Sequence, residues 1–238
     1  MKKVIIIGAT SGIGRELARL YAGFGWLVGA TGRRQDLLYT LQLEYPNNII
    51  TEGFDVTANE SMTHLQSLVA KMDGMDLLVY NSGFGDPSET LDWETDKMTV
   101  DTNVNGFIEI VNYSFNYFVA QGHGHIACTS SIASLRGNSL APAYSASKAF
   151  QSVYFEGLHI KAKKMKSDIF ITDVQPGFVD TKMAKGNKRF WVSSPAKAAQ
   201  QICDAIEKKK WRVYITQRWW VIAKIMKWMP DFIYHRIA

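Results

Sequence analysis

Short runs of aliphatic and β-branched residues alternate with stretches of helical periodicity along the whole of this chain. Residues 4–7 form an unbroken apolar strand, followed by a glycine-rich turn and a helix over 14–24. Further strands fall at 27–30, 49–54, 77–80, 125–129, 169–174 and 213–216, separated by helices at 36–44, 59–72, 95–121, 143–164 and 195–208. The strands show little polar alternation, so both faces of their sheet must be covered. Alternating β and α units place them in a parallel sheet with right-handed crossovers. The expectation is one α/β domain, doubly wound around a seven-stranded parallel sheet, and 238 residues suit that size. Ligands of such sheets lie beyond the carboxyl ends of the strands. Functional residues should therefore follow the strand ends.

The net charge of +5 is unevenly spread. Residues 208–238 carry eight Lys/Arg against one acid, Asp231, whereas the other 207 residues carry 19 basic and 21 acidic side chains. The basic character belongs to the tail, so no nucleic-acid-binding face is expected on the domain. Cys128 and Cys203 are far apart, with no CxxC pair and no metal-ligand spacing. That suits a reducing cytoplasm and no bound metal. After Met1-Lys2-Lys3 the apolar run is four residues long, too short for the core of a signal peptide. No run of 18 uncharged apolar residues exists, so no transmembrane helix is expected.

The first strand leads directly into Gly8-Ala9-Thr10-Ser11-Gly12-Ile13-Gly14. Glycines let a backbone approach a pyrophosphate, and a helix N-terminus offers N–H donors and partial positive charge. Strand, turn and helix together point to a bound nucleotide. The second strand ends at Ala30-Thr31-Gly32-Arg33-Arg34. An acid at this place would bind the ribose 2′-hydroxyl of NAD; two guanidiniums suit a 2′-phosphate by charge and forked geometry. The charge logic favours NADP(H) over NAD(H). Asp55-Val56 follows the third strand, where the carboxylate can accept from an adenine amino group or serve a turn. Asn81-Ser82-Gly83 follows the fourth strand and would lie along the cofactor ribose.

Tyr144-Ser145-Ala146-Ser147-Lys148 sets a phenol and an ammonium four residues apart on one helix face. A free phenol titrates near pH 10, and a neighbouring ammonium lowers that value. A tyrosine tuned toward neutrality can protonate a carbonyl oxygen or deprotonate an alcohol. Upstream, Thr129-Ser130-Ser131 ends the fifth strand and offers a hydroxyl to the substrate oxygen, with Ser131 placed for this and Ser130 competing. After the sixth strand, the backbone of Pro176-Gly177-Phe178-Val179-Asp180-Thr181 can hold a nicotinamide carboxamide, and the Thr181 hydroxyl can meet that amide or a phosphate.

Taken together, and in this order over residues 4–181, these motifs resemble the short-chain dehydrogenase/reductase family in its compact form. The resemblance also covers Asn103, within Asp101-Thr102-Asn103-Val104-Asn105-Gly106. It implies a Rossmann-type domain over 1–217 and a catalytic tetrad. Tyr144 would be the acid/base, and Lys148 would lower its pKa and bind the nicotinamide ribose. Ser131 would polarise the carbonyl. Asn103 would hold a water linking Lys148 to solvent. It implies hydride transfer between nicotinamide and a small carbonyl or secondary alcohol, in a homodimer or homotetramer. The run 30–34 is similar to that of bacterial NADP-dependent members acting on small 3-hydroxy acids. Two departures stand out: Tyr80-Asn81-Ser82-Gly83 replaces Asn-Asn-Ala-Gly, and Ser11 rather than a basic residue precedes Gly12.

Residues 182–194 would form a mobile lid, whose Lys182, Lys185, Lys188 and Arg189 either favour an acidic substrate or face water. The tail over 218–238 is a basic aromatic segment with Trp219, Trp220, Trp228, Phe232 and Tyr234, broken at Pro230. Packing on another subunit, walling off the substrate pocket or peripheral binding to an anionic membrane each fit it. A nucleotide-sensing protein or a membrane-associated lipid reductase on the same fold are the alternative functions.

Overall fold

Val4, Ile5, Ile6 and Ile7 of β1 (Lys3–Ile7) are all fully buried, and successive residues enter different cores. Val4 and Ile6 pack with Leu17 and Ala18 of α1 (Gly12–Gly23), Leu38 and Leu41 of α2 (Gln35–Glu44), and Ile202 of α7 (Pro195–Glu207). Ile5 and Ile7 pack on the other face with Leu65 of α3 (Ser61–Lys71), Phe107 of α5 (Gly106–Gln121) and Phe155 of α6 (Pro142–Lys164). This two-sided burial is what an apolar run without alternation requires. Each such side chain contributes about 1.5–3 kcal/mol.

The computed structural model describes residues 1–181 and 190–236. Among them seven strands form one sheet in the order β3-β2-β1-β4-β5-β6-β7, with every pairing parallel. The remaining strands are β2 (Leu27–Gly32), β3 (Ile49–Gly53), β4 (Leu77–Tyr80), β5 (His123–Thr129), β6 (Asp168–Pro176) and β7 (Arg212–Ile215). The chain winds outward from β1 to β3, then returns to the other side of β1 for β4. The crevice between the carboxyl ends of β1 and β4 is therefore the topological switch point.

The long helix expected over 95–121 runs without a break from 93 to 121, but with a π-helical turn inside it. Its first part, α4 (Trp93–Val100), starts where Asp92 Oδ2 accepts the Thr95 N–H at 2.9 Å. A π-helical turn over Asp101–Asn105 then leads into α5. One extra residue in a turn leaves both flanking patterns helical, so periodicity alone does not reveal it. Such turns are frequent at functional positions, and this one carries Asn103.

His125 of β5 is buried, and burial drives its pKa down to about 4. Thr172 Oγ1 donates to Lys210 O at 2.6 Å, so the 2.8 Å contact with His125 Nε2 has the imidazole donating. A histidine held neutral in the folded state opposes protonation. Its stabilisation is complete above the unfolded value near 6.5 and is lost as pH falls through about 4, on the order of 3 kcal/mol over that window. Urea unfolding of His125→Leu should show a flatter dependence on pH between those limits than the parent. Parallel curves would show that His125 does not carry the difference.

Candidate active site

The loop Gly8–Gly14 crosses the end of β1 and opens α1. A Cβ on Gly14 would fall 2.1 Å from Gly8 O, so only glycine lets the helix start this close to the strand. Ser11 stands at the N-cap with no side-chain cap hydrogen bond, and the first N–H groups of α1, Ile13 among them, keep their capacity for an anion. Asn81 Nδ2 donates to Gly8 O at 3.2 Å, tying the end of β4 to this loop, with Gly83 two residues beyond. Across it, the Thr181 methyl lies against Gly12.

The two arginines after β2 diverge. Arg34 Nη2 donates to Thr10 Oγ1 at 2.6 Å and Ser11 Oγ at 2.8 Å, so its guanidinium lies over the glycine loop. Arg33 is exposed and pairs with Asp55 Oδ2 at 3.5 Å. The other oxygen of Asp55 accepts from the Thr57 N–H and hydroxyl, both at 3.0 Å, closing a turn. Of the two roles weighed for Asp55, the turn is the one its hydrogen bonds serve. Val56 beside it is buried.

At the other half of the crevice, Ser130 and Ser131 point opposite ways, as neighbours on an extended backbone must. Ser130 is buried and donates to Asp173 Oδ1. Asp173 also accepts from Ser152 Oγ at 2.7 Å, Gln175 Nε2 at 2.8 Å and Arg212 Nε at 3.1 Å. Ser131, extended at φ −172°, accepts the Ala133 N–H at 3.1 Å, and its hydroxyl lies beside the Tyr144 phenol, whose pKa it acts to lower. Ser131 thus lies on the phenol's side, and Ser130 is turned to Asp173.

Tyr144 lies in the first turn of α6. Its ring rests on Gly85, where a Cβ would approach ring carbon Cδ2 to 2.3 Å. Lys148 follows one turn later, buried, with Nζ 5.8 Å from the Tyr144 ring centroid. The ammonium donates to Thr129 O at 3.0 Å and Gln151 Oε1 at 2.9 Å. One electrostatic expectation needs correction. With the chain's own groups alone the phenol is not lowered: burial pushes its pKa up, and the neighbouring Ser131 hydroxyl only partly opposes this. Burial likewise pushes Lys148 below its usual value, against the favourable fields of Cys128 and Asp173.

Asn103 is fully buried. Its amide accepts the Phe84 N–H at 2.9 Å and donates to Phe84 O at 2.7 Å and Ser147 Oγ at 2.9 Å. Its main-chain oxygen accepts from Gln151 Nε2 at 2.9 Å. Between Lys148 and Asn103, where the resemblance implied a water, this chain places a glutamine side chain.

A family model described as short chain dehydrogenase matches residues 2–190. The chain belongs to that family. An uncharacterized oxidoreductase of Myxococcus xanthus is 34% identical over 192 residues, covering 78% of this chain and 75% of that protein. The NADP-dependent 3-hydroxy acid dehydrogenase YdfG of Escherichia coli K12 is 31% identical over 183 residues, 74% and 72% of the two chains. The crystal structure of a 3-ketoacyl-(acyl-carrier-protein) reductase from Brucella melitensis with NADH superposes with a TM-score of 0.82 at 18% identity, covering 91% of this chain and 97% of that one.

This short-chain dehydrogenase is therefore an oxidoreductase with a nicotinamide cofactor and a Rossmann-like fold. The residues present fit such a cofactor: the glycine cradle that a Cβ would fill, the uncapped start of α1 and the guanidinium over the loop all suit a dinucleotide. At the third wall, Gly177 follows Pro176 at the end of β6, and the Trp219 indole occupies the space of its missing Cβ. Val179 bridges to Ser193. Of the segment expected to form a lid, residues 182–189, with all four cations, lie outside the described residues; Phe190 stacks on Trp219 at 5.1 Å. No group among the described residues is suited to hold a metal ion.

Sequence reasoning missed Gly85, Ser147, Gln151 and the Thr129 carbonyl. Ser147 and Gln151 had a signal, being polar residues one turn apart on a helix that buries its inner face. The other two had none, because their role depends on Tyr144 and Lys148 arriving from another element. The tail forms α8 (Trp219–Trp228) and α9 (Asp231–Tyr234), broken at Pro230 as expected. Trp219, Ala223 and Tyr234 pack inward. Arg136, between Ser131 and Tyr144, pairs with Asp231 at 2.7 Å and donates to Met229 O at 3.0 Å, so the tail braces the loop joining the two hydroxyls. No helix among the described residues is long and apolar enough to cross a membrane.

Proposed function

We propose that this chain is an NADP(H)-dependent oxidoreductase interconverting a small carbonyl and its secondary alcohol, with Tyr144 as acid/base. The observation that carries the reading is the Tyr144 ring seated on Gly85 beside Ser131, with the buried Lys148 one helical turn along and its Nζ 5.8 Å from the ring centroid. The bound nicotinamide supplies or accepts the hydride. Tyr144 gives its proton to the substrate oxygen in reduction and takes it back in oxidation. Ser131 donates to the same oxygen and orients it. Lys148, with two of its three protons committed to Thr129 and Gln151, keeps one N–H for the phenol or the nicotinamide ribose. Asn103 fixes the Phe84–Gly85 backbone against which the phenol rests. Val179 and Thr181 complete the wall that holds the nicotinamide end. Turnover is tested by NADPH oxidation against 3-keto acids, aldehydes and quinones. Binding with no oxidation across the panel would favour a nucleotide sensor.

NADP(H) is preferred over NAD(H) because Arg34, with Thr10 and Ser11, forms a cationic pocket at the end of β2. Arg33 covers the adenine side, where Asp55 and Val56 lie. A charge-assisted hydrogen bond contributes about 1.5–3 kcal/mol. Arg34→Ala should therefore weaken NADPH about tenfold or more and leave NADH nearly unchanged, as read by fluorescence titration. Equal losses for both would place Arg34 elsewhere.

Both cysteines are buried and unpaired, which suits a reducing compartment. Homodimer or homotetramer formation would cover the exposed Val153 and Ile160 of α6, and light scattering reads that mass. For the outer face of the tail we propose peripheral contact with an anionic lipid surface. Trp220, Val221, Ile225 and Trp228 project outward from α8, with Lys224 and Lys227 among them. Two copies meeting there would oppose like charges, whereas anionic headgroups complement them. The protein should sediment with phosphatidylglycerol-containing vesicles at low salt and be released by salt. Trp228→Ser should weaken this about tenfold. No sedimentation at low salt would remove the idea.

A further inference from the structure

Resting on the reading of Tyr144 and Lys148 above, we infer that Gln151 is a positioning residue: it holds the Lys148 ammonium in place beside the phenol without neutralising it. Gln151 sits three residues after Lys148 on α6 and has no exposed surface. Its two amide ends are both used, and their directions are fixed by chemistry. An ammonium only donates, so Oε1 must accept from Lys148 Nζ, at 2.9 Å. A carbonyl only accepts, so Nε2 must donate to Asn103 O, at 2.9 Å. The amide cannot flip without setting donor against donor and acceptor against acceptor. It therefore locks three elements together: α6, the π-helical turn, and the end of β5 through Thr129 O.

The neutrality of the amide matters as much as its position. A carboxylate at the same place would pair with the ammonium, and its charge would cancel the field that favours the phenolate. An apolar residue would leave the ammonium short of one acceptor and the Asn103 carbonyl short of one donor. Glutamine satisfies both and adds no charge. The other groups facing this cluster are Cys128 from β5, Asp173 from β6 with its partner Arg212, and Tyr144 itself. Asp86, Asp92 and Asp96 line a small recess shared with the phenol. All of these stay constant when only Gln151 is changed.

The test measures Tyr144 directly and needs no substrate. Protein labelled with carbon-13 at tyrosine Cζ and supplied with NADP+ is titrated by NMR, and the signal missing from Tyr144→Phe identifies the residue. In Gln151→Glu its titration midpoint should rise by about one unit or more. Gln151→Met has similar length and no charge; its midpoint should rise by less, and it serves if the glutamate variant does not fold. A role confined to packing would lower the melting temperature and leave the midpoint unmoved. Wild-type midpoints in folded variants would overturn the inference. The parent reading fails separately, if Tyr144→Phe oxidises NADPH as well as the wild type.

Discussion

Tyr144→Phe should lower carbonyl reduction by about 10²–10⁴-fold, the usual contribution of a positioned acid/base group. The ring would keep its place against Gly85, and only the hydroxyl beside Ser131 would go. NADPH affinity and the melting temperature should stay close to those of the parent. The loss should appear in kcat, because proton transfer belongs to the transition state and not to binding. Ser131→Ala should reduce kcat in the same assay. Ser130→Ala should act on stability instead, since its hydroxyl is spent on Asp173. A pattern in which Ser130, not Ser131, controls kcat would reverse the assignment.

The largest effect on stability is expected at Asp173. Its carboxylate is fully buried and accepts from Ser130, Ser152, Gln175 and Arg212. Asp173→Ala removes the acceptor shared by Ser130, Ser152 and Gln175, which keep only their bonds to Val174 O and to one another, and leaves the Arg212 guanidinium without its buried counter-ion. Breaking one side of a buried pair costs roughly 3–5 kcal/mol. The lower end applies, because Arg212 retains some exposure and a second acid, Glu156, at 3.7 Å. For a domain of this size a loss of about 3 kcal/mol lowers the melting temperature by roughly 6–12 °C. Calorimetry checks this. Arg212→Met with Asp173→Ala should recover part of the loss, because the unpaired charge is then gone. Additive losses would show that the two residues are not coupled.

The fold was legible because its signals are local. Residues 4–7 are apolar without alternation, and that alone requires a strand covered on both faces. The glycines of 8–14 and the spacing of Tyr144 and Lys148 are equally local. What the chain hid depends on which residue of an adjacent pair faces which way. Arg33 and Arg34 read alike in sequence, yet one lies over the glycine loop and the other pairs with Asp55. Ser130 and Ser131 also read alike, and the choice between them depends on Asp173, 43 residues away from Ser130. The expected effect of Lys148 on Tyr144 was a pairwise argument, and burial of both groups outweighs it in the chain alone. The π-helical turn was invisible for the geometric reason given above.

The central claim is that two hydroxyls and a nicotinamide converge on one substrate atom. A crystal structure of the complex with NADP+ and a ketone inhibitor measures this directly. The ketone oxygen should lie within hydrogen-bonding reach, about 2.6–3.2 Å, of both Tyr144 Oη and Ser131 Oγ, with the carbonyl carbon facing the nicotinamide. A ketone oxygen bound elsewhere, with the phenol still turned to Ser131 alone, would contradict the account.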